Sequence, residues 1–120
     1  MLSLIISMLL GIEAPPELSL DDRQKVRATC YLPTGNKTAD GTVPYFGICA
    51  SNRDHLGDVC LVWTMEGEWI GYFECRDIGG HKMLRNGTAI DIFQPDMDAA
   101  LDWVHTYGDY VQVIWIDCEG

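Results

Sequence analysis

The sequence predicts a mainly β domain: six short strands closed into a barrel, with one α-helix before the last strand. Apolar residues alternate with a two-residue period from about Val26 onward, and turn-forming residues interrupt the pattern at short intervals. Only one stretch, after Pro95, shifts to steps of three and four residues.

Val26 to Leu32 alternates until Pro33-Thr34-Gly35-Asn36 breaks it. A loop over residues 37–42 leads to a short run from Gly47 to Ser51. Asp58 to Met65 and Glu68 to Cys75 flank Glu66-Gly67, the composition of a hairpin turn. Ala89 to Phe93 reads as the fifth strand and Val111 to Asp117 as the sixth. So many short strands favour a barrel over an open sheet. Met97, Ala100, Leu101, Val104 and Tyr107 recur at helical spacing, Asp96 can cap the start, and Gly108 can close the end. The spacing predicts an amphipathic helix over Asp96 to Tyr107, packed on the barrel.

The chain of 120 residues fits one domain, placed at residues 21–120. Residues 1–20 are a separate segment: Met1 to Leu10 is apolar, and Gly11 to Leu20 is polar with Pro15-Pro16. This segment has the hydrophobic part of a signal peptide without its basic start, and it is too short to span a bilayer as a helix. It reads either as a remnant signal sequence or as a short element packing on the domain. Any membrane contact would run through it. The net charge of −10, from 18 acidic against 8 basic residues, repels phosphate backbones, and no Lys/Arg cluster offsets it. Nucleic acid is therefore not expected as a partner.

Cys30, Cys49, Cys60, Cys75 and Cys118 contain no Cys-x-x-Cys pair, and His55, His81 and His105 stand at no ligand-like interval from them, so no metal site is expected. Most of the cysteines lie in apolar runs and read as small buried hydrophobes. In a secreted protein, Cys30 with Cys118 would be the best disulfide pair, joining first and last strands.

The richest stretch is Asp77-Ile78-Gly79-Gly80 followed by Asn86-Gly87-Thr88-Ala89-Ile90-Asp91-Ile92-Phe93. It places two carboxylates at the edges of β-segments with glycines between them, an arrangement suited to holding a sugar. Together with Thr29-Cys30-Tyr31, Thr38-Ala39-Asp40-Gly41, Gly47-Ile48-Cys49-Ala50 and Gly57 before a strand, this succession resembles the three-aspartate (3D) domain. That family is a double-psi β-barrel of bacterial cell-wall and phage proteins, similar in fold to lytic transglycosylase, rare-lipoprotein-A and expansin barrels. The resemblance covers about Arg27 to Asp117.

The resemblance implies an extracellular or cell-envelope protein acting on peptidoglycan or another polysaccharide, with no metal or organic cofactor. The expected function is glycan cleavage of the lytic transglycosylase kind, with Asp91 as general acid and Asp77 tuning it or orienting the sugar. The alternative is a non-catalytic carbohydrate-binding module of the same fold, and a further option is a module whose groove holds a protein segment. Substrate-binding candidates are Tyr31, Asp40, Asn52, Gly79, Gly80 and His81, with Lys82 beside them. The sequence departs from the family at Ile78, where Thr is usual, and at Asn52, where the remaining Asp would fall; the segment between Gly80 and Asp91 is longer than usual.

Protonation of a leaving oxygen at neutral pH requires a raised carboxyl pKa. Apolar Ile90, Ile92 and Phe93 and the charge of Asp77 would both push Asp91 upward. Strand alternation also allows the plainer reading, with Asp91 turned outward into solvent opposite Ile90 and Ile92. Asp77 can equally be a turn residue bonding its own backbone.

Overall fold

In the computed structural model, residues 22–117 are described, and they form a closed six-stranded mixed barrel. The strands are β1 (Gln24–Tyr31), β2 (Ile48–Ser51), β3 (Val59–Thr64), β4 (Trp69–Ile78), β5 (Ala89–Phe93) and β6 (Tyr110–Ile116). Helix α1 (Lys82–Arg85) precedes β5, and α2 (Met97–Tyr107) precedes β6. The apolar N-terminal segment 1–20 and Cys118, and with it the Cys30–Cys118 pairing, lie outside the described residues.

Around the barrel the order is β1-β5-β2-β4-β3-β6, and β6 closes back on β1. Two pairs are parallel, β1 with β5 and β2 with β4; the other contacts are antiparallel. Parallel neighbours cannot be joined by a tight turn, so other strands lie between them in sequence. Among the described residues one tight hairpin joins β3 to β4, where Thr64 N–H donates to Glu68 and Gly67 takes a φ of 93°. That matches the turn expected at Glu66-Gly67.

Alternation sets the interior. Val26 and Ala28 of β1, Ile90 and Ile92 of β5, Phe73 and Cys75 of β4, and Val111 and Val113 of β6 form one buried cluster. Strand β3 is buried on both faces. Cys60 and Val62 join this interior, whereas Leu61 and Trp63 pack outward with Trp69, Tyr72, Ile114 and Ile116. A continuous apolar run such as Val59-Cys60-Leu61-Val62-Trp63 is what double burial requires. Cys49, Cys60 and Cys75 are fully buried free thiols and Cys30 is half-buried.

Helix α2 begins where expected, with the Asp96 carboxylate accepting from Ala99 N–H at 2.9 Å, and ends at Gly108, whose N–H donates to Val104. Its docking face differs from the predicted stripe. Trp103 is the buried residue, edge-on to Phe73 and Tyr107, while Met97, Leu101 and Val104 are exposed. The indole offers the largest apolar surface on the helix, and burying it outweighs the three smaller side chains on the other side.

Candidate functional site

Strand register assembles the site. Thr29 stands opposite Asp91, Asp91 opposite Ala50, and Ala50 opposite Asp77, so one row crosses β1, β5, β2 and β4. Directly opposed residues share a face. Strand β4 reaches this row through a register shift between Cys49 and Ala50, which passes over Arg76 and brings Asp77 opposite Ala50. Ala50, between the two aspartates in this row, is itself buried. Two inter-strand spacings, roughly 10 Å, separate the Asp91 and Asp77 backbones.

Asp91 is half-buried, and Thr29 Oγ1 donates to its Oδ1 at 2.9 Å. Burial pushes its carboxyl above the usual carboxylate range; the Thr29 hydrogen bond opposes this, and the negative charge of Asp77 reinforces it. The flanking Ile90 and Ile92 point into the core, so the apolar surroundings expected from the sequence are present. Asp91 borders a cleft of about 460 Å³ whose other walls include Arg27, Thr29, His81, Met83 and Leu84.

Asp77 is held differently. Its Oδ1 accepts from the N–H of Ile78 at 2.9 Å and of Ala39 at 3.0 Å. The second bond ties the β1–β2 loop to β4, and Asp77 thus combines the turn role with a place in the row. Tyr31 packs edge-on against Phe93, and its hydroxyl is buried with no hydrogen-bond partner among the described residues. Burial first, then the charges of Asp77 and Asp91, push its phenol well above the ordinary value, so it stays a donor between two carboxylates.

Asp40 belongs to the loop itself. Its Oδ1 accepts from the hydroxyls of Thr38 (2.7 Å) and Thr42 (2.6 Å), and its Oδ2 pairs with Arg76 at 3.3 Å. Burial works against its ionisation, but these hydrogen bonds outweigh it and hold the carboxyl at about 2. Its oxygens therefore fix the loop that Asp77 anchors.

Asn52 caps the turn Arg53–His55 by accepting from His55 N–H at 3.2 Å. With Gly79 and Gly80 it lines a second hollow, of about 470 Å³. Gly79 is required by packing: a Cβ there would collide with the Leu84 side chain that anchors α1. Gly80 has open space around it. His81 caps α1 with Nδ1, accepting from Met83 N–H at 3.2 Å; that tautomer leaves Nε2–H as a donor on the Asp91 cleft. The candidates are thus dispersed: Asp91 and His81 border one cleft, Asp77 stands further along the row, Tyr31 packs against Phe93 on β1, Asp40 holds the β1–β2 loop, and Asn52, Gly79 and Gly80 line the other hollow.

Arg27 and Thr29 were not among the sequence candidates. The signal was available, since Arg27, Thr29 and Tyr31 alternate on one face of β1 while Val26 and Ala28 point inward. No family model, curated protein or solved structure matches the chain.

Proposed function

We propose that this barrel is a polysaccharide-directed domain of the double-psi type, cleaving peptidoglycan glycan strands with Asp91 as general acid. The observation that carries the reading is a half-buried carboxyl with raised pKa, fixed by Thr29 and bordering an open cleft. The two parallel pairs, β1 with β5 and β2 with β4, in a closed six-stranded barrel support the double-psi part of this reading.

In the proposed reaction, Asp91 gives its proton to the glycosidic oxygen as the bond from that oxygen to the anomeric carbon breaks. The 6-hydroxyl of the same sugar attacks the anomeric carbon, closing a 1,6-anhydro ring. Its proton passes to the Asp91 carboxylate, and the acid is regenerated without water. Thr29 orients the carboxyl, and burial first, then the charge of Asp77, raises its hold on the proton that it delivers. A nucleophilic carboxylate would stand about 5–5.5 Å from the acid. Asp77 starts two strands away and its Oδ1 already accepts two backbone N–H groups, which favours the substrate's own hydroxyl as nucleophile.

The test is incubation with peptidoglycan and mass spectrometry of the soluble products, with the parent protein and Asp91→Asn side by side. Anhydro-muropeptides from the parent alone support the reading, whereas ordinary reducing ends would replace the anhydro step by hydrolysis. No product, with the protein still pelleting with the wall, would leave the second reading, a carbohydrate-binding module. That alternative is favoured by Asn52, which carries no charge where the resemblance would place a third acid.

A further inference from the structure

The parallel pairing of β2 with β4 places Cys49 directly opposite Cys75. Both residues are fully buried in the same interior cluster, so their side chains leave the sheet on one side. The two thiols are hydrogen-bonded, Cys49 donating to the Cys75 sulfur. Neighbouring strands lie about 4.8 Å apart, and a disulfide needs Cα atoms about 4.4–6.8 Å apart. The pair stands in bridging register.

No other pair of described cysteines meets that condition. Cys60 faces Phe73, so Cys75 lies on its diagonal, about 7–8 Å away and past bridging reach. Cys49 and Cys60 stand on opposite sides of β4, roughly 10 Å apart. Cys30 is at least two strands away from Cys49, Cys60 and Cys75.

A buried thiol usually fills space as a small hydrophobe. Two in bridging register also hold chemistry. The hydrogen bond from Cys49 lowers the Cys75 thiol below its ordinary value, against the effect of burial, and raises that of Cys49. Cys75 is thus the attacking thiolate of the two. The pair is also the last in register before the shift that brings Asp77 opposite Ala50. A covalent link there fixes the frame on which the row of Asp91 and Asp77 is built.

We propose that Cys49 and Cys75 form an oxidation site, joined as a disulfide when the chain folds beside a small-molecule disulfide of the glutathione class. Cys75 attacks one sulfur of that molecule, forming a mixed disulfide and displacing the first thiolate. Cys49 then attacks the Cys75 sulfur, and the second small thiolate leaves. The two cysteines give up two electrons and two protons, and the small disulfide takes up both as two thiols. Both sulfurs are sealed in the closed barrel, so exchange precedes the docking of β2 on β4. The bridge closes residues 49–75, which hold β3 and the hairpin, and so restricts the unfolded chain. It stands or falls independently of the proposed cleavage.

The test unfolds the full chain in reductant, refolds it in oxidised and reduced glutathione, alkylates the remaining thiols and maps peptides without reduction. Trypsin would release Cys49 on residues 38–53 and Cys60 with Cys75 on residues 54–76. Fragmentation of the linked peptides, repeated in Cys60→Ala, assigns the bridge. The expected result is Cys49 joined to Cys75 in both chains, with Cys60 of the parent alkylated once the chain is unfolded. The oxidised chain is expected to melt at least about 5 °C above the reduced one. Reduction by glutathione is expected to be at least tenfold slower in the folded chain than in urea. Alkylation of both Cys49 and Cys75 in the refolded chain would leave them as packing residues and overturn the proposal. Pairing of either with Cys30, Cys60 or Cys118 would overturn it too. An oxidised chain melting no higher than the reduced one, or reduced as fast folded as unfolded, would place the bridge outside the native barrel.

Discussion

Asp91 and Asp40 depart from the usual carboxylate value in opposite directions, so they load stability on opposite sides of the pH scale. Asp91 binds its proton more tightly in the folded chain. Its contribution is complete below the ordinary Asp value and is lost as pH rises through the raised one. Asp91→Asn, whose amide oxygen can keep the Thr29 bond, should therefore melt higher than the parent at neutral pH and equally at low pH. The same variant should lower glycan cleavage by about 10²–10⁴-fold. Asp40 contributes above the ordinary value and loses that contribution as pH falls through about 2. Asp40→Asn should melt lower than the parent near pH 7, with the gap closing under strong acid; thermal melts across pH read both effects. Gly79→Ala should destabilise by about 1–3 kcal/mol through collision with Leu84, and Leu84→Ala in the same chain should recover part of that loss. Asp91 was legible because alternation around buried Ile90 and Ile92 fixes its direction. The commitment of Asp40 to its own loop was not, because it depends on Arg76, which reaches it only through the fold.

At the level of elements, strands and helix ends were readable because turn and cap chemistry is local. The docking face of α2 was not. Periodicity reports that a helix has apolar positions, and α2 has them on more than one side. Trp103→Ala should cost about 3–5 kcal/mol. Leu101→Ser, at an exposed position, should change stability by no more than about 0.5 kcal/mol. Chemical denaturation of the two variants separates the faces; equal losses would return the helix to the predicted stripe. Helix α1 escaped sequence reading for another reason. Four residues carry no period, and its ends are set by His81 and by Leu84 packing under Gly79.

For the whole molecule, the number of strands was visible and their partners were not. Alternation says which side chains face inward, but not that β1 will lie between β5 and β6. The site row depends on that hidden order, since Thr29, Asp91, Ala50 and Asp77 come from four strands scattered over about half the chain. A barrel dominated by such distant pairings should fold in milliseconds to seconds, slower than a helical domain of this size. Stopped-flow refolding followed by the buried tryptophans would show it.

The same closure governs how the protein is made. Strand β1 leaves the ribosome first, yet both of its neighbours are among the last strands synthesised. At about 5–20 residues per second, Tyr31 waits roughly 4–17 seconds for Ile116 to be added. Until Phe93 is added the nascent chain carries β1 with two open edges and no native partner, and the edge that β6 covers stays open to the end of that interval. A protein built this way is exposed to mispairing on every polysome, and its yield in a cell should depend on chaperone capacity and translation speed more than on the stability of the finished barrel.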